Sequence, residues 1–220
     1  MSTQTKRLIK TTIGKKLMMA LTGLVMLGFV VGHMLGNLQI YLGAETLNAY
    51  AEWLHNHPAL VWGTRIVLLV CVSVHIIAWL STWLRSRSAR PARYASKQKR
   101  QASNIASRSM RFSGPAILGF IIYHLLHFTV GAAHSDFIEH DVFHNVVSGF
   151  SNPIVSAVYI FSMVMLGLHL VHGVWSAFQT MGLNNSTWTP RIRLLATVIA
   201  GALALGNISI PVSVLLGWIG

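Results

Sequence analysis

The sequence predicts an all-α integral membrane protein with five transmembrane helices, and three observations carry that reading. Only 10% of the 220 residues are charged and 53% are hydrophobic, whereas a soluble domain carries about 25% charged residues. Five apolar stretches, roughly 17–35, 66–84, 112–130, 154–178 and 194–219, hold almost none of those charges. Finally, the charges that remain fall into loops of alternating character. Each stretch has about 19 residues or more, which at ~1.5 Å per residue crosses a hydrocarbon core of ~30 Å. Backbone groups in lipid must be satisfied within their own segment, so these stretches are helices and not strands.

Taken in order, the spans are expected at about 15–37, 59–85, 112–132, 153–180 and 190–219, all within one membrane domain covering 1–220. The first span follows a basic stretch, as a signal peptide would. It lacks a small-residue cleavage site and is long enough to cross, so it reads as a helix. Pro58, Pro115, Pro153 and Pro190 stand near the starts of spans two to five, where a missing N–H costs least. The loop after the first span, 38–60, is expected to hold a short surface helix, because Glu45 to Leu54 (ETLNAYAEWL) has helical composition. The stretch 131–152 reads as a loop, and 86–111 as a basic cytoplasmic linker. Pro211 lies inside the fifth span and predicts a kink there. Cys71 is the single cysteine, which excludes an internal disulfide framework. Nothing resembles a glycine-rich nucleotide loop, and no cysteine set could hold an iron–sulfur cluster.

The net charge of +12 is concentrated on one side. Lys6, Arg7, Lys10, Lys15 and Lys16 precede the first span, nine Lys/Arg lie between Arg85 and Arg111, and Arg191 and Arg193 precede the fifth span. Only Arg65 falls on the opposite side, together with all five acids: Glu45, Glu52, Asp136, Glu139 and Asp141. Basic loops stay in the cytoplasm, so the N-terminus is expected inside and the C-terminus outside. A Ser- and Arg-rich linker could also be a nucleic-acid tail. Orientation, and attraction to anionic lipid, account for it without nucleic acid, and docking of a cytoplasmic subunit is compatible with both.

The histidines point to chemistry. His33, His75, His124, His127, His169 and His172 lie within the spans, where ionisable residues are rare and by default functional. The odd spans run outward and the even ones inward. His33 and His124 therefore share an outer level, and His75 and His169 an inner one. His33 is 17 residues past Lys16, roughly 25 Å up a helix. His75 is 10 residues before Arg85, roughly 15 Å from the inner edge. A lone membrane histidine is ordinarily explained by an interhelical hydrogen bond. Four helices that each supply one histidine, matched in depth by twos, fit two six-coordinate haems, each clamped between two imidazoles. Gly32, Gly36, Gly119, Gly167 and Gly173 would admit porphyrin to the backbone, or serve close helix packing. Zinc would need three or four ligands at one level. A proton relay or pore would normally bring intramembrane carboxylates, and spans two to five have none between their ends.

At these residues the chain resembles the five-helix, single-anchor dihaem cytochrome b subunit of succinate dehydrogenases and fumarate reductases. The resemblance runs from about Leu17 to the C-terminus. It is carried by GHMLGNLQIY with His33, VSVHIIAW with His75, RFSG and IIYHLLHF with His124, and LHLVHGVWSAFQTMG with His169. It implies that His124 and His169 are the ligands rather than His127 and His172, each three residues further on. The latter two would line the haem edge or be satisfied by packing. It further implies two haem b, the inner held by His75 and His169 and the outer by His33 and His124, with no ligand from the fifth helix. A flavoprotein subunit carrying FAD and an iron–sulfur subunit with its clusters would dock on the cytoplasmic face of a bacterial inner membrane. Electrons would pass from succinate through flavin, clusters, inner haem and outer haem to quinone, mostly menaquinone in relatives of this type. The quinone site would lie near the outer haem, with Glu45 or Glu52 as the proton-handling acid or as a solvated surface charge. Arg65 could pair with an outer-haem propionate or snorkel at the interface. Two other readings of the residues stay open here: the cytochrome b of a hydrogenase or formate dehydrogenase, and a haem-free anchor or proton conductor.

Overall fold

The computed structural model describes residues 11–89 and 105–220. Its first helix, α1 (Thr12–Asn37), starts where the Thr11 hydroxyl accepts the Gly14 N–H at 3.0 Å, the usual service of an N-cap threonine. A 3-10 turn, Leu38–Leu42, ends at Gly43, whose φ of +100° suits a residue without a Cβ. Then come α2 (Ala44–His55), the expected surface helix, and the second span α3 (Pro58–Ser88). The third span is α4 (Ile105–His124), closed by a π turn, Leu125–Thr129. A short helix α5 (Val142–Ser151) precedes the fourth and fifth spans, α6 (Pro153–Thr180) and α7 (Trp188–Leu215). The five long helices are each apolar and long enough to cross a membrane, and side chains such as Ile66, Leu69, Phe161 and Leu205 stay exposed as lipid-facing groups would.

Three local expectations need correction. The third span begins by residue 105, so Pro115 sits ten residues inside α4 and not at its start. The proline leaves the Arg111 carbonyl without a helical donor. That carbonyl lies in a polar Ser/Arg stretch, where headgroups and water can serve it. For the same reason the basic linker is helical at both ends, 86–88 in α3 and 105–111 in α4. Serine and arginine tolerate a helix. Its middle, 90–104, lies outside the described residues. The loop 131–152 contains α5, whose N-cap is Asp141. Four polar residues within ten, His144, Asn145, Ser148 and Ser151, hid it. In the fifth span, α7 continues through the buried Pro211 to Leu215.

The long helices pack in a ring with one side open. α3 lies along α1, α1 along α6 and α6 along α4, while α7 covers α6 from outside. Among the described residues α1 and α4 are not packed along each other, nor are α3 and α6. These are the two diagonals of the four-helix bundle. At one end α2 and α5 fold together into a cap holding all five acids. There the Asn48 amide donates to Asp141 at 2.9 Å, and the Asn48 carbonyl oxygen accepts the Phe143 N–H at 2.9 Å. The cap covers a core of Ile40, Leu47, Phe150, Tyr159, Ile210 and Val214. The other end carries Arg85, Arg87, Arg108, Arg111, Arg191 and Arg193.

Candidate functional site

Each diagonal of the bundle is bridged by a pair of histidines. Towards the basic end, His75 of α3 faces His169 of α6 with ring centres 6.4 Å apart and planes inclined by 49°. Towards the acidic end, His33 of α1 faces His124 of α4 at 5.8 Å and 81°. The helices of each pair are not packed along each other, so the imidazoles reach across the interior from opposite walls.

The supports behind these rings define which nitrogen is available. His75 Nδ1 lies 3.1 Å from the Met19 carbonyl oxygen and 3.3 Å from the Thr22 hydroxyl. A carbonyl can only accept, so His75 carries its proton on Nδ1 and keeps the Nε2 lone pair free. His169 Nδ1 lies 3.3 Å from the hydroxyl of Ser113, a residue with no exposed surface. His124 Nδ1 lies 3.4 Å from the Tyr159 hydroxyl. His33 stacks on Phe29, one turn earlier, at 5.3 Å. Engaging Nδ1 and freeing Nε2 is the arrangement by which proteins orient a metal-ligating histidine.

Neither His127 nor His172 joins these pairs. His127 is only 2% exposed, donates to or accepts from Tyr159 at 3.1 Å, and stacks between Tyr123 and His134. The π turn that begins after His124 displaces it from the simple three-residue spacing of an α-helix. His172 is half-buried and meets Trp175 edge-on at 6.1 Å.

The glycines divide as well. Gly36 receives the Tyr50 ring, and Gly167 receives Ala204 of α7 at 3.3 Å, so these two serve close packing. At Gly32, Gly119 and Gly173 an added Cβ would meet nothing within 4 Å. Among the described residues no three His, Cys, Asp or Glu side chains converge as a zinc site requires.

Glu45 and Glu52 are both exposed on α2 and line one cleft of about 550 Å³ in the acidic cap, together with Asn48, His55 and His140. Arg65 is exposed and its guanidinium lies over Trp62, 5.0 Å from the ring centre. Asp141, at the mouth of the cap, accepts the His144 N–H at 3.0 Å and the Asn48 amide. These bonds hold its carboxyl below the usual carboxylate range.

A family model described as the succinate dehydrogenase/fumarate reductase transmembrane subunit matches residues 85–206. The chain belongs to this family. The match covers more than half the sequence, from the end of α3 into α7, and includes His124 and His169 while His33 and His75 precede it. Comparisons with curated proteins and with solved structures gave no match. As a succinate dehydrogenase/fumarate reductase transmembrane subunit, the chain is a multi-pass membrane protein of an enzyme complex and associates with its other subunits.

The residues behind the histidines were not singled out from the sequence. Ser113 stands in the RFSG stretch, so a signal existed. Thr22 and Tyr159 are polar groups within apolar spans, which must find partners in lipid. The Met19 carbonyl has no sequence signal, because any residue supplies one.

Proposed function

We propose that this subunit is a dihaem cytochrome b that carries electrons between the iron–sulfur subunit of its complex and a quinone, menaquinone in particular. The observation that carries the reading is the pair of diagonals. Two imidazoles that were to share one metal would each need a metal–nitrogen bond of about 2 Å, which would put their ring centres roughly 6 Å apart. The two pairs stand at 5.8 and 6.4 Å. The helices behind them are held apart, and at His75, His169 and His124 the contacts engage Nδ1 and leave Nε2 available. At Gly32, Gly119 and Gly173 no neighbouring side chain lies within 4 Å of where a Cβ would stand, so none blocks a macrocycle's approach there.

When bound, haem supplies reversible one-electron transfer at two depths. The protein's part is to bind and to orient. His75 and His169 hold the level nearer the basic end, and His33 and His124 the level nearer the acidic end. The positive-inside rule makes the basic end cytoplasmic, in a bacterial inner membrane with the C-terminus outside. The flavoprotein and iron–sulfur subunits, with FAD and clusters of their own, then dock beside Arg85, Arg111 and Arg193. The cap contributes Glu45 and Glu52, which can pass protons between external water and a quinone beside the acidic-end pair.

The purified complex should give about two haem b per copy of this chain in a pyridine haemochrome assay. Covalent attachment is not expected, since no C-x-x-C-H motif is present. A colourless complex from cells that make haem would sink the reading. Changing Glu45 or Glu52 to Gln should slow quinone reduction, with both haems still bound and succinate oxidation by a soluble acceptor near normal. If quinone turnover is unaffected in both variants, neither acid handles the protons.

A further inference from the structure

We propose that Tyr159 is the positioning residue of the acidic-end pair: its hydroxyl fixes the ring orientation and tautomer of His124, with His127 as the second leg of the same contact. The proposal rests on the dihaem reading above, and its starting point is a shortage of protons. One hydroxyl lies 3.4 Å from His124 Nδ1 and 3.1 Å from His127 Nδ1. A phenol has a single hydrogen to give and lone pairs to accept with. It can donate to one of these nitrogens only, and the other must donate to it.

The order is set by the neighbours. If His124 presents Nε2 towards His33, its Nδ1 carries the proton and donates to the Tyr159 oxygen. Tyr159 then donates to His127 Nδ1, and the His127 proton resides on Nε2. Nothing in this order sets donor against donor. The next ring obeys the same logic. His134 Nε2 faces the Asn145 carbonyl oxygen at 2.9 Å and so donates, while its Nδ1 accepts the Asp136 N–H at 3.1 Å. His134 is thereby fixed, and it stacks on His127 with ring centres 4.7 Å apart.

The hydroxyl cannot swing away. Tyr159 is 6% exposed, and the rings of Phe120, Phe128 and Phe150 stand 5.1, 5.5 and 4.9 Å from its own. On the far side His127 is pressed by Gly149, where a Cβ would come within 2.9 Å of its ring. Such a buried hydroxyl, held on all sides and aimed at the nitrogen opposite a coordinating one, has the geometry of a group that tunes a ligand. Among the described residues His33 has a stacking partner in Phe29 and no hydrogen-bond partner, so the pair takes its orientation from the His124 side.

The test uses the intact complex and reads the haems, not turnover. Tyr159→Phe removes the acceptor for His124 and keeps the ring. It should retain both haems, raise the midpoint potential of the acidic-end haem because its ligand becomes less basic, and shift that haem's low-spin EPR signal. The basic-end haem should stay at the wild-type potential. Phe150→Leu loosens the same packing without touching the hydrogen bonds, so it should lower thermal stability and move neither potential. Unchanged potentials and EPR signals in Tyr159→Phe would overturn the proposal, and so would an equal shift in Phe150→Leu. Should Tyr159→Phe fail to assemble, His127→Phe removes the far leg alone. That variant must still shift the acidic-end signal, and an unshifted signal rejects the proposal. A wild-type complex without haem overturns the dihaem reading itself, and this proposal with it.

Discussion

The two ends of this bundle hold their histidine pairs by different means. Towards the basic end the supports belong to the helices themselves: a backbone carbonyl at Met19 and the small hydroxyls of Thr22 and Ser113. The packing there is equally spare, with Ala177, Ala196 and Ala200 buried where α6 meets α7. Towards the acidic end the support is one tyrosine in an aromatic cluster, closed by the cap that the short helices α2 and α5 add to the five long ones. The comparison teaches that one ligand pattern can be built from the bundle alone or can depend on a second layer. Damage to the cap should therefore register at one pair only.

The largest expected effect breaks the pairs themselves. Replacing His75 or His169 with Ala should reduce haem from about two to about one per chain and spare the acidic-end signal, and His33→Ala or His124→Ala should do the reverse. Substitutions at His127 or His172 should leave two haems. Losing a haem with His172 but not with His169 would show that the ligand on α6 is misassigned.

A smaller effect sharpens the asymmetry. Gly149→Ala drives a methyl group to within 3.0 Å of both His127 and His134, overpacking of a kind that costs about 1–3 kcal/mol. Thermal unfolding in detergent should begin lower, and only the acidic-end haem spectrum should change. An equal change at both haems would mean that the cap is not confined to one pair.

Next in size is the cap's anchor. Asp141→Ala removes an N-cap and the partner of Asn48, a loss of about 1 kcal/mol. Because the folded carboxyl titrates below its ordinary value of 3.8, its stabilising effect is present above that value. It is lost as pH falls through the lower folded one. Stability of the wild-type cap should thus be flat from about pH 5 to 8 with respect to this group and fall only below about pH 4. Cap loosening near pH 6 would point to another residue. The smallest effect is at Arg65: Arg65→Ala removes an exposed cation–π contact worth about 0.5–1 kcal/mol, and both haem potentials should hold. A shift of the acidic-end potential would point to the propionate pairing instead.

The elements legible in the sequence were those governed by the solvent. Hydrocarbon tolerates few charges and no unsatisfied backbone, so length and hydropathy located all five spans, and antiparallel crossing matched His33 with His124 and His75 with His169 in depth. The start of α4 was harder to read, because a polar Ser/Arg stretch looks like a loop whether or not it is helical. The helix α5 was missed because its only strong signal, the Asp141 cap, becomes meaningful when Asn48 arrives from 93 residues away.

What the sequence determined by itself was therefore the number of spans, their alternation, the separation of acidic from basic ends and the depth of the six histidines within the spans. All of these follow from one-dimensional rules of charge, length and period. Only the tertiary structure decided that the pairs lie on the diagonals of the bundle, that Nδ1 of His75 faces a carbonyl, and that His127 and Tyr159 form the wall beside His124. Those outcomes depend on which helices pack and which are held apart. Apolar surfaces facing lipid or one another look alike in sequence, and only the close packing of α1 with α6, α6 with α4 and α7 with α6 distinguishes them.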